Sequence, residues 1–338
     1  MDEALRDALR RACETLGPGA RFSLARRGSL VEVRIVLGRA CHGGTPQWGA
    51  AAHDPAFVLR RIDDGVEQLR RDRERLAHRR DISVPLHGPA VLSPSAAGVF
   101  VHECFGHTSE ADNYLARSPS LRRALGDRWT AAPLTVRDRP SAWPYAGSYE
   151  RDDEGTVPRT VTLLTAGRWT GLLTHTPTSA LSGGVSTGHG RGAAGRPALP
   201  RCSVLDVLPG DFPPSELLRR MGDGWLLGTP IGGFSVRRLL VLELLWVQRV
   251  YRGRLVNDVR GPAVICADKA ALAAQVAAVG DDVTVNSSPY TCVKEGYEVG
   301  STLISPSLLL GRCVLRPLAH FPGPAGGPAA RGGAFTVP

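Results

Sequence analysis

The chain has 338 residues, of which 43% are hydrophobic and 22% charged, the composition of an ordinary globular protein with a sizeable core. No uninterrupted apolar run reaches membrane-spanning length, so we expect no membrane association. The formal net charge of +9 allows a nucleic-acid partner. However, the densest basic segment, 69–81, interleaves acidic residues with its arginines, and no recognisable nucleic-acid-binding module accompanies it. We therefore expect no nucleic-acid partner.

The opening segment, MDEALRDALRRACETLG, is typical of an amphipathic helix and lacks the basic and apolar regions of a signal peptide. We therefore expect a cytoplasmic protein. The seven cysteines are scattered and form no CxxC pair, which argues against a disulfide framework and against a self-contained zinc ribbon. Any one of them can still be a metal ligand that the fold supplies.

The apolar pattern predicts an α+β fold in two parts with a tail. Residues 1–85 are expected to form a small N-terminal α/β unit, with the opening helix, a strand over 29–37 and a helix over 55–80. Residues 86–320 are expected to form a larger, mostly antiparallel β-rich domain. The Gly/Pro-rich tail, 321–338, is expected to be disordered.

Within the larger domain, a short apolar strand is predicted over 87–94, and Ser93 or Ser95 can cap the helix that follows. The remaining predicted elements are, in chain order, a hairpin over 160–174, a strand over 203–208, β structure over 235–256, a helix over 267–279 and two strands within 297–315.

The predicted helix contains VFVHECFGHTSEAD, in which His102, Glu103 and His107 form an HExxxH arrangement. The zinc-peptidase motif HExxH places its histidines roughly 40° apart around an ideal helix, whereas one more residue places them roughly 140° apart. A π-bulge, or the end of the helix at Phe105–Gly106, would absorb the extra residue and bring both imidazoles to one side. The alternative is a regular helix with two unrelated histidines.

Two histidines are too few for a catalytic zinc ion, which usually takes three protein ligands and keeps a position for water. Glu110 lies three residues after His107 and can either bind the metal or orient His107. Asp112 is a similar candidate. Spacing alone therefore leaves the third ligand open.

The block GPAVLSPSAAGVFVHECFGHTSEAD resembles the signature of the TldD/PmbA family of metallopeptidases, once described as modulators of DNA gyrase. Catalytic members of that family carry HExxxH followed by an acidic Glu-x-Asp. Further similar blocks follow in the family's order: DDEG before a hairpin, STGHGRG with PRCSVLDVLPGD, and TCVKEGYEVGSTLISPSLLL. The resemblance covers about residues 86–315.

This resemblance implies that His102, His107 and Cys292 bind a zinc ion (Zn²⁺) and that Glu103 is the catalytic carboxylate. Two neutral imidazoles and one thiolate leave room on zinc for a water molecule, whose pKa then falls towards neutrality. Glu103 could take the proton of that water and pass it to the leaving amine. Cys104, inside the motif, would point away from the ligands, and we interpret it as a packing residue.

The resemblance also implies a peptidase that acts on unfolded or modified peptides. Family members commonly act in pairs, so we expect a homodimer or a heterodimer with a metal-free TldE/PmbA-like subunit. The family's CGKxGQ block reads CVKEGY here, its PRxTN block reads PRCSV, and the region before the motif is short. These departures suggest altered substrate recognition, and maturation of a peptide natural product is one hypothesis.

Other polar residues are candidates for contacts to the ligands or to a substrate. Asp152, Asp153 and Glu154 either orient ligands or close a turn, while His189 and Arg191 lie in a glycine-rich loop beside which a substrate could bind. Two alternative functions stay open. One is a zinc enzyme that modifies a peptide or an amino-acid-derived metabolite without hydrolysis, and the other is a non-catalytic modulator of DNA gyrase.

Overall fold

A computed structural model of the chain describes residues 2–18, 20–27, 30–37, 40–42, 55–116, 124–192, 195–286 and 290–321. Apart from Phe321, the tail expected to be disordered lies outside these residues. The helices are α1 (Asp2–Leu16), α2 (Pro55–Leu76), α3 (Pro94–Val101), a π-helical segment (His102–Gly106), α4 (His107–Ser109), α5 (Ala111–Ala116), a 3-10 helix (Thr176–Ser182), α6 (Pro214–Met221), α7 (Lys269–Ala273) and a second 3-10 helix (Leu318–His320).

The strands are β1 (Ala20–Arg27), β2 (Leu30–Leu37), β3 (Ala40–His42), β4 (Leu86–Leu92), β5 (Val136–Asp138), β6 (Val161–Thr165), β7 (Arg168–Trp169), β8 (Gly190–Arg191), β9 (Leu199–Pro200), β10 (Val204–Val207), β11 (Gly224–Leu227), β12 (Pro230–Val236), β13 (Leu239–Leu244), β14 (Val247–Tyr251), β15 (Arg254–Arg260), β16 (Ala263–Asp268), β17 (Val276–Val279), β18 (Thr284–Val285), β19 (Tyr290–Lys294), β20 (Tyr297–Ser305) and β21 (Leu308–Pro317).

The N-terminal residues form two helices and an antiparallel sheet of β1, β2 and β3. The strand expected over 29–37 is β2, and the helix expected over 55–80 is α2. The two helices share an apolar core with residues of the larger part of the chain: Leu5, Leu9, Ala12, Leu16, Ile62, Leu69, Leu245, Trp246 and Val259. The boundary at residue 85 therefore stays a prediction, because side chains from both sides of it are buried together.

Two larger sheets, mostly antiparallel, contain all the remaining strands of the described chain except β8 and β9, which pair with each other. One has seven strands in the order β18-β20-β10-β5-β6-β7, with β19 paired to β20. The other has nine strands in the order β12-β13-β16-β21-β4-β11-β14-β15, with β17 paired to β21. The expected α+β fold with a β-rich larger part is thus confirmed.

Helix α3 lies between these two sheets, in contact with β20 on one side and with β12 and β13 on the other. Two glycines allow α3 to lie close to the strands on either side. A Cβ on Gly98 would lie 3.1 Å from Leu303 Cβ, and a Cβ on Gly233 of β12 would lie only 2.3 Å from Val99 Cγ1. The helix that leads into His102 is therefore packed closely between the two sheets.

The helix predicted over 267–279 is wrong over its second half. The helix α7 covers only five residues, capped by the Asp268 side chain, and Val276–Val279 is the strand β17. The alanine-rich sequence favours a helix, but Val276 pairs with Leu310 of β21 and is fully buried there. Tertiary packing overrides intrinsic propensity at this position.

None of the helices in the described ranges combines the length and the apolarity that crossing a membrane requires.

Candidate metal centre

The motif helix begins with a capping residue, Ser93. Pro94 occupies the first turn, where its missing N–H costs nothing, and the Ser93 side chain accepts a hydrogen bond from the backbone N–H of Ala96 at 3.4 Å. The six residues that follow Ser95 are all buried. The sequence thus specifies a short apolar helix that leads directly into His102.

At His102 the helix widens into a π-helical turn that ends at Gly106, and the backbone N–H of His107 donates to the carbonyl of His102. This i to i−5 hydrogen bond absorbs the extra residue of the HExxxH spacing. The two imidazole rings consequently lie on one side, with centroids 4.7 Å apart and planes at 73°. Of the two alternatives that would absorb the extra residue, a π-bulge or the end of the helix, the structure shows the π-bulge.

Glycine is needed at position 106 for space rather than for backbone conformation. The φ angle of Gly106 is −57°, an ordinary helical value that any residue adopts. A Cβ there would lie 2.7 Å from Cys202 Sγ and 3.0 Å from Leu205 Cδ1. The turn can therefore rest against the segment 202–205 only because Gly106 has no side chain.

Cys292 reaches the two histidines from the strand β19, where it pairs with Val299 of β20. Its Sγ lies 3.8 Å from His107 Nε2, and the potential ligand atoms of His102, His107 and Cys292 all lie within 4.8 Å of one another. Two imidazoles and one thiol at this separation fit the three-ligand set of a catalytic zinc ion.

Glu103 completes the cluster. Its side chain is buried, its Oε2 lies 3.9 Å from His107 Nε2, and that oxygen has no hydrogen-bond partner among the described residues. A buried carboxylate oxygen without a donor is unfavourable unless a water or a ligand satisfies it. The donor set and this oxygen together fit a metal with a water beside it.

The electrostatics of the cluster favour a thiolate. Burial by itself would raise the pKa of the Cys292 thiol, but the charge of His107 and hydrogen bonds with both imidazoles lower it to about 5. Burial would likewise lower the pKa of His107, yet the carboxylates of Glu110 and Glu103 and the Cys292 sulfur raise it well above its usual value. A zinc ion would take the place of the proton that these anions attract.

Glu110 is fully buried and contacts His107 on the ring nitrogen that faces away from the cysteine. Its Oε2 lies 3.0 Å from His107 Nδ1 and accepts hydrogen bonds from Asn113 Nδ2 and Lys294 Nζ, each at 2.9 Å. Burial would raise the pKa of Glu110, but the charges of His107 and Lys294 lower it to about 2. Of the two roles that the spacing left open, the geometry favours orienting His107.

Asp112 contacts Lys294 rather than His107. Its Oδ1 accepts a hydrogen bond from Lys294 Nζ at 2.7 Å, and the same ammonium group donates to the carbonyl of Pro200 at 3.2 Å. Lys294 therefore ties the acidic Glu-x-Asp segment to the strand that carries Cys292.

Three residues of this cluster were not among the candidates from the sequence: Asn113, Arg201 and Lys294. Lys294 could have been found, because a residue two positions after Cys292 on a strand faces the same side. Arg201 lies in the PRCSV block, and its buried side chain donates from Nε to Cys292 Sγ at 3.4 Å. Nothing in the spacing of that block indicated such a contact.

The acidic residues Asp152, Asp153 and Glu154 accept hydrogen bonds from the backbone of neighbouring loops. Asp152 is buried and accepts hydrogen bonds from the backbone N–H groups of Thr156 and Gly190 at 2.8 and 3.0 Å. Asp153 Oδ2 accepts from Gly192 N at 2.7 Å, and Glu154 Oε2 accepts from Thr176 N at 2.7 Å. These contacts match the turn-closing interpretation rather than the ligand-orienting one.

His189 and Arg191 differ in their surroundings. His189 is fully buried, with Nε2 3.2 Å from Asp138 Oδ1. Arg191 is half-buried over the ring of Tyr149 and donates to the carbonyl of Gly300 at 3.3 Å. Cys104 is buried in the apolar core with its Sγ 3.7 Å from the carbonyl of Lys269, as expected of a packing residue.

The sequence is similar to that of proteins named metalloproteases. A metalloprotease from Methanocaldococcus jannaschii is 29% identical over 224 residues, which are 64% of this chain and 49% of that protein. A zinc metalloprotease TldD homolog from Saccharolobus solfataricus is 34% identical over 149 residues, 43% of this chain and 33% of that protein. The chain thus spans about half the length, or less, of these relatives.

Two solved structures share the fold. A candidate modulator of a DNA gyrase from Thermotoga maritima has a TM-score of 0.63 at 18% identity, covering 93% of this chain and 74% of that one. TldE from Thermococcus kodakarensis has a TM-score of 0.57 at 14% identity, covering 86% and 61%. The family model described as the C-terminal domain of PmbA/TldA metallopeptidases matches residues 87–315, more than half of the chain. The chain is therefore a member of the TldD/PmbA metallopeptidase family.

Proposed function

We propose that this chain is the catalytic subunit of a zinc-dependent, TldD-type peptidase that hydrolyses unfolded or modified peptides. The observation that carries the proposal is the convergence of His102, His107 and Cys292 beside the buried Glu103 carboxylate. Curated relatives are named metalloproteases, and one of them is named a zinc metalloprotease.

A bound zinc ion would supply Lewis acidity for the scissile carbonyl and for the attacking water. Glu103 then acts as the general base, because its buried Oε2 has no donor of its own among the described residues and lies beside the His107 ring. The same carboxyl group delivers the proton to the leaving amine. Glu110 holds His107 through Nδ1, which leaves Nε2 facing the cluster.

Edge strand β19 supports a peptide substrate. Within the described chain it pairs only with β20, which makes it an edge strand, and Val293 next to Cys292 is 56% exposed. An extended peptide can pair with such an edge with little dependence on its sequence. We include maturation of a peptide natural product as the specific role to test.

We also propose that the chain works as a homodimer or with a metal-free TldE/PmbA-like subunit. The fold that it shares with TldE from Thermococcus kodakarensis supports pairing between subunits of one architecture.

The experiment is incubation of the zinc-loaded protein with a set of unfolded peptides, followed by mass spectrometry. We expect fragments from the wild-type protein and none from Glu103→Gln, which should retain zinc. Glu216→Gln is the control, because this carboxylate forms ion pairs only with surface arginines among the described residues. Products of altered mass with an intact backbone would favour non-hydrolytic modification. Salt-dependent DNA binding by metal-free protein, without cleavage, would favour the gyrase-modulator alternative.

A further inference from the structure

We propose that Arg201 is the counter-cation of the Cys292 thiolate, a positioning residue that fixes the sulfur and withdraws electron density from it. This inference rests on the proposed metal centre. Arg201 does not bind the metal itself, since a guanidinium has donors only.

Burial makes Arg201 an unusual residue. Its side chain has no exposed surface, and no carboxylate among the described residues lies within ion-pair distance of it. Burying an arginine without an anion is strongly unfavourable. The group in direct contact that can carry a negative charge is the Cys292 sulfur, which accepts a hydrogen bond from Arg201 Nε at 3.4 Å.

The guanidinium of Arg201 donates two hydrogen bonds to Cys292. Besides the Nε contact to sulfur, Nη2 donates to the carbonyl oxygen of the same residue. Nη1 is buried and has no hydrogen-bond partner in the described part of the chain. Within the described ranges, both hydrogen bonds of the Arg201 side chain therefore hold one residue, the proposed third ligand.

Arg201 is itself held from two sides. Its backbone N–H donates to the carbonyl of His189 at 3.0 Å, and the ring of Tyr297 lies 5.2 Å from its guanidinium carbon. His189 is in turn bonded to the buried Asp138. The buried His189 does not touch a proposed metal ligand, but its carbonyl fixes the backbone that carries Arg201.

A charge-assisted hydrogen bond to the thiolate has a chemical consequence. A thiolate gives more electron density to a metal than an imidazole or a carboxylate does, which weakens the Lewis acidity that peptide hydrolysis needs. A donated N–H lowers the energy of the sulfur lone pairs and offsets this effect. Arg201 is thus suited to let a cysteine serve where other zinc peptidases use a carboxylate or a histidine.

The test uses the full chain loaded with cobalt(II), whose thiolate complexes absorb in the near ultraviolet by transfer of an electron from sulfur to the metal. Because the hydrogen bond stabilises the sulfur lone pair, Arg201→Gln should shift this band to longer wavelength, and Arg201→Lys should shift it less. Chelator competition should show a loss of roughly tenfold or more in metal affinity for Arg201→Gln.

Arg191→Gln is the matched control, because Arg191 stacks on an aromatic ring and donates to a carbonyl of β20 but does not touch Cys292. Its band should not move. A cobalt band at the wild-type wavelength in Arg201→Gln, or in the charge-free variant Arg201→Met if only that one folds by circular dichroism, would overturn the inference. A wild-type protein that binds no cobalt through sulfur would instead overturn the proposed metal centre.

Discussion

The imidazole rings of His102 and His107 have centroids 4.7 Å apart and planes at 73°, although the two residues are five positions apart in the sequence. They meet because the helix between them forms a π-turn, closed by the hydrogen bond from His107 N–H to the carbonyl of His102. An ideal α-helix would separate the same two side chains by roughly 140°. The two histidines of the longer motif can therefore face one metal ion only on this widened backbone.

Gly106→Ala should destabilise the protein by about 1–3 kcal/mol, because the new methyl group would lie 2.7 Å from Cys202 Sγ in a filled core. Gly65→Ala is the matched control. It also lies in a helix, but a Cβ there meets nothing within 4 Å, so the change should stabilise by about 0.5–1 kcal/mol. Urea unfolding measures both.

Combining Gly106→Ala with Cys202→Ala should recover part of the loss, since the second change removes the atom that the methyl group meets first. Additive effects of the two substitutions would contradict a steric origin.

Glu110→Gln should lower metal affinity by roughly tenfold or more, because a neutral amide oxygen is a weaker acceptor than a carboxylate for the Nδ1–H of His107. Chelator competition measures the change. Asp112→Asn, which removes a charge from the same Lys294 contact without touching His107, should have a much smaller effect. Equal losses in both variants would show that net charge, not the orientation of His107, matters.

Asp72→Ala should destabilise the protein by about 3 kcal/mol, because it removes the buried acceptor of Trp246 Nε1 at 2.7 Å and of Thr229 Oγ1 at 2.8 Å. Asp63→Ala, at an exposed position of the same helix, should change the free energy of unfolding little. A small effect at Asp72 would mean that α2 is not held by this contact to the connections between strands of the nine-stranded sheet, where Thr229 and Trp246 lie.

His107→Ala and Cys292→Ala should each lose bound zinc on dialysis, whereas Glu103→Gln should keep it, because Glu103 is proposed to act on water rather than on the metal. Elemental analysis of the dialysed proteins gives the answer. Full zinc occupancy in either alanine variant would remove that residue from the ligand set.

The sequence predicts the local part of this centre but not the residues that tertiary structure brings to it. The bulge at Phe105–Gly106 follows from helix geometry, since two histidines five apart cannot meet on a regular helix. Cys292 lies 185 residues from His107, a separation that no local periodicity bridges, and only the family resemblance indicated it. The contact of Arg201 with Cys292 depends on tertiary structure alone, so no local pattern in the sequence predicts it. The helix expected over 267–279 fails because Val276 is buried against β21.

X-ray absorption at the zinc edge of the loaded protein tests the central claim most directly. The account predicts one sulfur neighbour at about 2.3 Å and imidazole nitrogens at about 2.0 Å, with the sulfur contribution lost in Cys292→Ser. A zinc environment of nitrogen and oxygen alone in the wild-type protein, or a sulfur signal that survives Cys292→Ser, would contradict it.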